Sequence, residues 1–195
     1  MNDSENPREV LLKKRRTVFE NSRFLVHADH IADGSGQEVP DYLVVEPRVH
    51  SDRLITGAAV LPVFEGRIVL IKTFRHAVRS FLLETVCGFV DPNETPAEAA
   101  LRELTEETGL VCRPDRLVTL GTCFPEASTL QARVALFAAL DCTRSTRTDT
   151  SEMGLGGWVS LSMEEAERML RDMSLEEVTT LVCLHRFFLM RAGKA

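Results

Sequence analysis

The sequence predicts an α+β fold, with helices packed on a mixed sheet. Two observations carry that reading. Six runs rich in Val, Leu, Ile and Phe are bounded by turn residues, as strands are. Only three helix-start signals accompany those strands and they do not alternate with them, which argues against a regular β/α repeat.

The predicted strands are Arg23–Ala32, Asp41–Glu46, Thr56–Phe64, Arg67–Phe74, Leu117–Phe124 and Arg133–Leu140. Phe64-Glu65-Gly66-Arg67 predicts a tight hairpin turn between the third and fourth. A helix is predicted from Pro96 to Thr108. Thr95 can cap its first turn, proline suits the first helical position, Glu98 completes a capping box, and Gly109 supplies the left-handed stop. Ser162-Met163-Glu164-Glu165 and Ser174-Leu175-Glu176-Glu177 repeat the capping-box pattern, the latter predicting a last helix over Leu175–Arg191. Between strands and helices, Asp141–Gly157 is polar and longer than the roughly 12–15 residues of an ordinary connection, so it reads as functional or disordered.

Composition removes several function classes. The 195 residues are 44% hydrophobic and 27% charged, as in ordinary globular domains, and no apolar run is long enough for a membrane span. The N-terminus is charged and lacks a signal-peptide apolar segment, so the expected location is cytoplasmic. With 23 basic against 29 acidic residues, the net charge of -6 does not gather nucleic acid. The basic cluster Lys13–Arg16 reads as a solvated strand edge. Five cysteines, without a CxxC pair, read as buried fillers in a reducing compartment. His27 and His30 fall on opposite faces of an alternating run, so no metal role is assigned to them.

One helix face has chemistry of its own. At about 100° per residue, Glu103, Glu106 and Glu107 share roughly a 100° arc, while Ala97, Ala100, Leu101 and Leu104 form the adjoining apolar arc. Three carboxylates so placed repel one another, and no cation one turn further on relieves them. Carboxylate oxygens concentrated on a rigid element suit a hard divalent cation such as Mg²⁺, which binds through a few carboxylates jointly with phosphate oxygens. A merely solvated acidic face is the plainer alternative.

The frame around the triplet decides between them. Gly88, five residues, Glu94, seven residues, then Arg102-Glu103-Leu104-Thr105-Glu106-Glu107-Thr108-Gly109-Leu110 matches the signature of the Nudix hydrolases without a miss. Its seven fixed and two aliphatic positions arise by chance about once in 10⁹ windows. The resemblance implies an α/β/α sandwich, a mixed sheet between helices, and a Mg²⁺- or Mn²⁺-dependent attack of water on a nucleotide pyrophosphate. Carried over by position, Glu103 and Glu107 are implied as principal metal ligands. Glu106 is implied at a second cation or its water, and the carbonyl of Cys87 as a further ligand. Arg102 and Glu94 resemble the pair that orients the catalytic helix.

Weaker resemblance points to the ADP-ribose pyrophosphatase subgroup. Arg75 after Phe74 is similar to an arginine that contacts phosphate, and Glu84 stands four residues before Gly88, where that subgroup has a glutamate counted with the metal site. Pro125 matches a subgroup proline, but Glu126-Ala127-Ser128 replaces the usual glycine, leaving Ser128 as a substrate-binding candidate. Val18–Pro47 resembles the subgroup's small N-terminal antiparallel sheet, which implies residues 1–50 as an extension, 51–195 as the hydrolase domain, and a homodimer. Glu152, six residues before Trp158, is the preferred general base, with Asp149 or a glutamate of the signature as alternatives. The expected substrate is ADP-ribose or a related nucleoside diphosphate sugar. A GDP-hexose, a dinucleotide, or a non-catalytic nucleotide sensor are the alternatives.

Overall fold

The structure is a computed structural model that describes residues 9–51, 53–145 and 153–193. Its main sheet is organised around the apolar run that becomes β4 (Ile55–Phe64), whose residues from Ala58 onward are all buried. A strand covered on both faces reads as a continuous hydrophobic run, and here that run is central. β5 (Arg67–Arg75), β6 (Ser80–Glu84), β7 (Val86–Phe89), β8 (Leu110–Val111), β9 (Leu117–Cys123), β10 (Arg133–Arg144) and β11 (Leu155–Leu161) complete it. The path runs β11-β5-β4-β10-β8, with β6 on β5, β7 on β4 and β9 on β10. β10 lies parallel to β4 and the other pairs are antiparallel, so the sheet is mixed.

Alternation along β4 assigns the two faces. Ala58 and Val60 pack with Ala99, Ala100 and Leu104 of α1 (Pro96–Thr108). Ala59, Leu61 and Val63 pack with Ala166 of α2 (Met163–Arg171) and with Cys183, Leu184 and Phe187 of α3 (Val178–Arg191). The result is the expected α/β/α sandwich. The buried side of α1 differs in detail from the arc read off the sequence, since Ala99 is buried and Ala97 and Leu101 only partly so.

Local signals mostly hold. Thr95 and Glu98 form the capping box of α1, and Gly109 ends it at φ 67°. Glu65 and Gly66, both at positive φ, make the hairpin turn between β4 and β5. Some boundaries differ, two of them informatively. The last helix begins at Val178, because the Glu177 carboxylate accepts from the Thr179 and Thr180 N–H groups and takes over the capping role; the Ser174 hydroxyl instead donates to the Met169 carbonyl. The polar segment 141–157 is shorter than its composition suggests, since β10 runs to Arg144 and β11 starts at Leu155.

A second, three-stranded antiparallel sheet precedes these elements: β1 (Leu11–Glu20), β2 (Phe24–Ala32) and β3 (Glu38–Pro47), in that order. The basic cluster Lys13–Arg16 lies in β1, the outer strand, all of it exposed. Arg15 nevertheless pairs with Asp29 and Glu46. The free edge of β3 is stitched to the main body: Val45 N–H donates to the Thr129 carbonyl at 2.7 Å, Gln131 N–H donates back to the Val45 carbonyl at 2.9 Å, and the Tyr42 hydroxyl donates to the Ser128 carbonyl. His27 is buried between Thr17 and Glu46, whereas His30 faces Glu38, so the two do not share a site.

Leu104 is fully buried where α1 meets β4. Leu104→Ala should therefore cost about 2–5 kcal/mol, read as a lower denaturation midpoint with an unchanged slope in urea.

Candidate functional site

β4 and β5 pair only next to their turn, at Val63–Ile68 and Phe64–Arg67, and then part. β6 continues on β5 and β7 continues on β4, and the Thr85 hydroxyl between them donates to the Val60 carbonyl. This parting places Cys87, Gly88 and Phe89 at the head of a cavity of about 730 Å³, with Glu103 and Glu106 of α1 on one wall. Arg75 at the end of β5, Pro125, and Thr179 at the start of α3 form other walls. Arg23, Phe24 and Pro47 reach in from the N-terminal sheet.

Arg102 organises the acidic wall. Its Nε and Nη2 donate to the two oxygens of Glu94, both at 2.9 Å, and Nη2 also donates to the Phe89 carbonyl at 2.9 Å. Nη1 bridges Glu103 Oε1 at 2.7 Å and Glu106 Oε2 at 3.1 Å. Thus the carboxylates do have a relieving cation, one turn before Glu106 instead of the one turn after it that the sequence reading considered. Surrounded by these acceptors, the guanidinium is held even further above its ordinary range, with Glu94 the largest contributor. Glu94 answers in kind: hydrogen bonds from Arg102 hold its carboxyl below the ordinary 4.5, the Asp91 N–H adds to this, and partial burial opposes it.

Gly88 is required by space rather than by backbone angle. A Cβ there would lie 1.9 Å from Glu103 Oε1, so the carboxylate rests on the bare strand backbone. Glu107, one turn on from Glu103, is buried, while Glu106 is half exposed. The Cys87 thiol is pushed up to about 12, first by burial and next by Glu107, so it stays protonated.

These donors fit a divalent cation. Among the described residues no three acidic, imidazole or thiol groups are gathered tightly enough to enclose an ion by themselves. Mg²⁺ does not need such a cage, because it keeps waters and is commonly bound by one or two carboxylates together with substrate phosphate. Glu103, Glu106, Glu107 and the Cys87 carbonyl offer only hard oxygen ligands, and the Gly88 cradle leaves one carboxylate room on the strand.

Other sequence candidates are placed differently. Glu84 is 1% exposed and is gripped by Arg75, whose Nε and Nη2 reach it at 2.9 and 2.5 Å. This pairing raises the Arg75 pKa, and the buried Glu84 carboxylate fixes Arg75 at the edge of the cavity. Ser128 is off the wall too; its hydroxyl and N–H both turn to Glu126 because the short turn favours that local bond. Pro125 is on the wall. Glu152 and Asp149 lie outside the described residues.

The sequence reading missed an aromatic wall. Phe24 and Phe89 meet edge to face at 6.0 Å, and the Arg23 guanidinium lies 5.2 Å from the Phe89 ring centre. Phe89 follows Gly88 directly and was within reach of inspection. Arg23 and Phe24 were not, since only the docking of the N-terminal sheet brings them there.

The Arg102–Glu94 pair has a pH signature. A carboxyl with a depressed folded pKa contributes stability that is complete above its unfolded value and is lost as pH falls through the folded one. Glu94→Gln should lower the melting temperature at pH 7, and its gap from wild type should narrow as pH drops below about 4.5, followed by thermal melts across a pH series.

Comparison with known proteins fits this geometry. The NUDIX domain model matches residues 53–178. ADP-sugar pyrophosphatase from Mus musculus is 43% identical over 58 residues, 27% of this chain and 27% of its own length. ADP-ribose pyrophosphatase from Bacillus subtilis (strain 168) is 40% identical over 58 residues, 29% and 31% of the two chains. The match to these curated relatives spans less than a third of their length. The methanol dehydrogenase activator of Bacillus methanolicus is 22% identical over 183 residues, covering 93% of this chain and 94% of that one. A crystal structure of an ADP compounds hydrolase superposes with a TM-score of 0.76 over 98% of this chain and 100% of that one, at 21% identity, a likeness of fold. The family model covers well over half of the chain and includes the whole of the Arg102-centred acidic wall, and the chain belongs to the Nudix family.

Proposed function

We propose that this protein hydrolyses the pyrophosphate bond of ADP-ribose or a related nucleoside diphosphate sugar, releasing a nucleoside monophosphate and a sugar phosphate. The observation that carries the reading is one cavity with an acidic wall at Glu103 and Glu106, a cationic wall at Arg75, and an aromatic wall at Phe24 and Phe89. The printed names of two relatives, an ADP-sugar and an ADP-ribose pyrophosphatase, support it.

Each wall matches one part of such a substrate. Phe24, Phe89 and Arg23 offer ring faces and a stacked guanidinium to a purine. Arg75, braced by Glu84, presents its remaining N–H groups to phosphate oxygens. Glu103, Glu106, Glu107 and the Cys87 carbonyl would hold Mg²⁺ or Mn²⁺, which when bound supplies charge neutralisation at the diphosphate and eases ionisation of water. The water oxygen bonds to one phosphorus, the bridging P–O bond breaks, and the water proton passes to a carboxylate. Glu152 is our preferred acceptor. Asp149 or a glutamate of α1 could take the same proton by chemistry. Arg102 keeps the carboxylates in register throughout.

We further propose a homodimer built on the three-stranded sheet, whose Leu11, Phe19 and Leu43 are each about half exposed. No helix among the described residues is long and apolar enough to cross a membrane. Our domain reading keeps residues 1–50 as an extension that both completes the aromatic wall and carries this interface.

A turnover screen of nucleoside diphosphate derivatives with Mg²⁺ and with Mn²⁺, identifying both products, tests the activity. Release of AMP and ribose 5-phosphate from ADP-ribose, abolished by chelator, is expected; no product from any nucleotide sugar would favour a sensor. Glu103→Gln and Glu107→Gln should each lower turnover by at least about 10²-fold while the melting temperature stays level or rises. Gly88→Ala should behave similarly, because Glu103 can swing away cheaply but then no longer lies where the chemistry needs it. Near-wild-type rates in these variants would sink the assignment of roles.

A further inference from the structure

Two of the five cysteines face one another across a short ladder beyond the catalytic cavity. β8 and β10 pair antiparallel, with Val111 opposite Thr143 and Leu110 opposite Arg144, and the same register carried one residue past the end of β8 brings Cys112 to Cys142. Ser145 N–H donates to the Gly109 carbonyl at 2.7 Å, which makes 109/145 a hydrogen-bonded pair. Counting along the ladder, 112/142 is a non-hydrogen-bonded pair. At such a pair the Cα atoms lie about 4.5 Å apart and the side chains approach most closely. A disulfide needs roughly 4.4–6.8 Å between Cα atoms, the range into which a non-hydrogen-bonded pair falls. The two side chains are close enough to interact. The Cys112 thiol lies within donor distance of the Arg113 and Leu140 carbonyls at 3.3 and 3.4 Å, and the Cys142 thiol donates to the Ala139 carbonyl at 3.2 Å.

We propose that Cys112 and Cys142 are a modification site, a dithiol that closes reversibly to a cross-strand disulfide at the expense of a small-molecule disulfide of the glutathione class. The bridge would clamp the exit of α1 to β10. It would also close a loop of about 30 residues that includes β9 and the Pro125–Ala132 wall of the cavity. This inference rests on the ladder geometry and not on the proposed activity.

The exchange balances in two steps. The Cys112 thiolate, on the more exposed residue, attacks one sulfur of the small disulfide; one thiol leaves and a mixed disulfide remains on Cys112. The Cys142 thiolate then attacks the Cys112 sulfur and the second small thiol leaves. Two protein S–H bonds have become one S–S bond, and the small disulfide has taken up two electrons and two protons. Burial raises both thiols above their ordinary 9.0, Cys142 to about 12, so exchange is slow at neutral pH and accelerates as pH rises.

The test incubates the folded protein with oxidised glutathione at pH 7 and pH 9, then maps non-reduced peptides by mass spectrometry and measures thermal melting. A Cys112–Cys142 peptide is expected, forming faster at pH 9. The melting temperature should rise by about 5–10 °C and return on treatment with a dithiol reductant. Cys142→Ala should stop at a glutathione adduct on Cys112, and Cys112→Ala should form neither species; both variants are checked for a cooperative melt. Absence of the bridged peptide in wild type, a bridge between Cys123 and Cys183 instead, or a melting temperature unmoved by bridging would overturn the proposal.

Discussion

The site depends on one guanidinium. Arg102 donates to Glu94, to the Phe89 carbonyl, to Glu103 and to Glu106, so it ties the loop before α1, the strand end at β7 and the acidic face of the helix into a single unit. Without such a hub, three carboxylates on adjoining turns would repel one another and splay. With it, Glu103 and Glu106 are held together on the cavity wall, and Glu107 lies buried beside them. A planar donor with a fixed fork can hold several acceptors at set angles, which a flexible ammonium could not.

The sheet supplies the matching constraint. β4 and β5 leave their turn as partners and then separate, and the chain fills the gap with β6 and β7. That parting is where a backbone carbonyl at Cys87, a bare position at Gly88 and the side chain of Arg75 come within reach of α1. Glu84, buried at the end of β6, turns a solvent-facing arginine into a fixed one. A buried carboxylate deprived of that partner would be expensive, so the ion pair holds both residues in place.

Legibility followed the range of the interactions. Capping boxes, the β4–β5 turn and the Gly109 stop depend on residues a few positions apart, and they were readable. Strands such as β6, β7 and β8 are two to five residues long and were not, since they exist only by pairing with longer neighbours. β1 was seen only as a basic edge, because its alternation is masked by charge on an exposed outer strand. The start of α3 was misplaced by three residues, since Ser174 and Glu177 are both competent caps and packing of Leu175 decides between them.

The sequence by itself determined the acidic helix, its caps and its spacing to Gly88 and Glu94, because one periodic element sets all those relations locally. Only the tertiary structure decided which way Arg102 reaches, that Arg75 spends two donors on Glu84, that Ser128 turns to Glu126, and that Phe24 joins Phe89. Those outcomes turn on contacts between segments distant in the chain or on competition among nearby acceptors. No spacing rule encodes them; they are settled when the two sheets dock and each polar group takes the partner that burial leaves it.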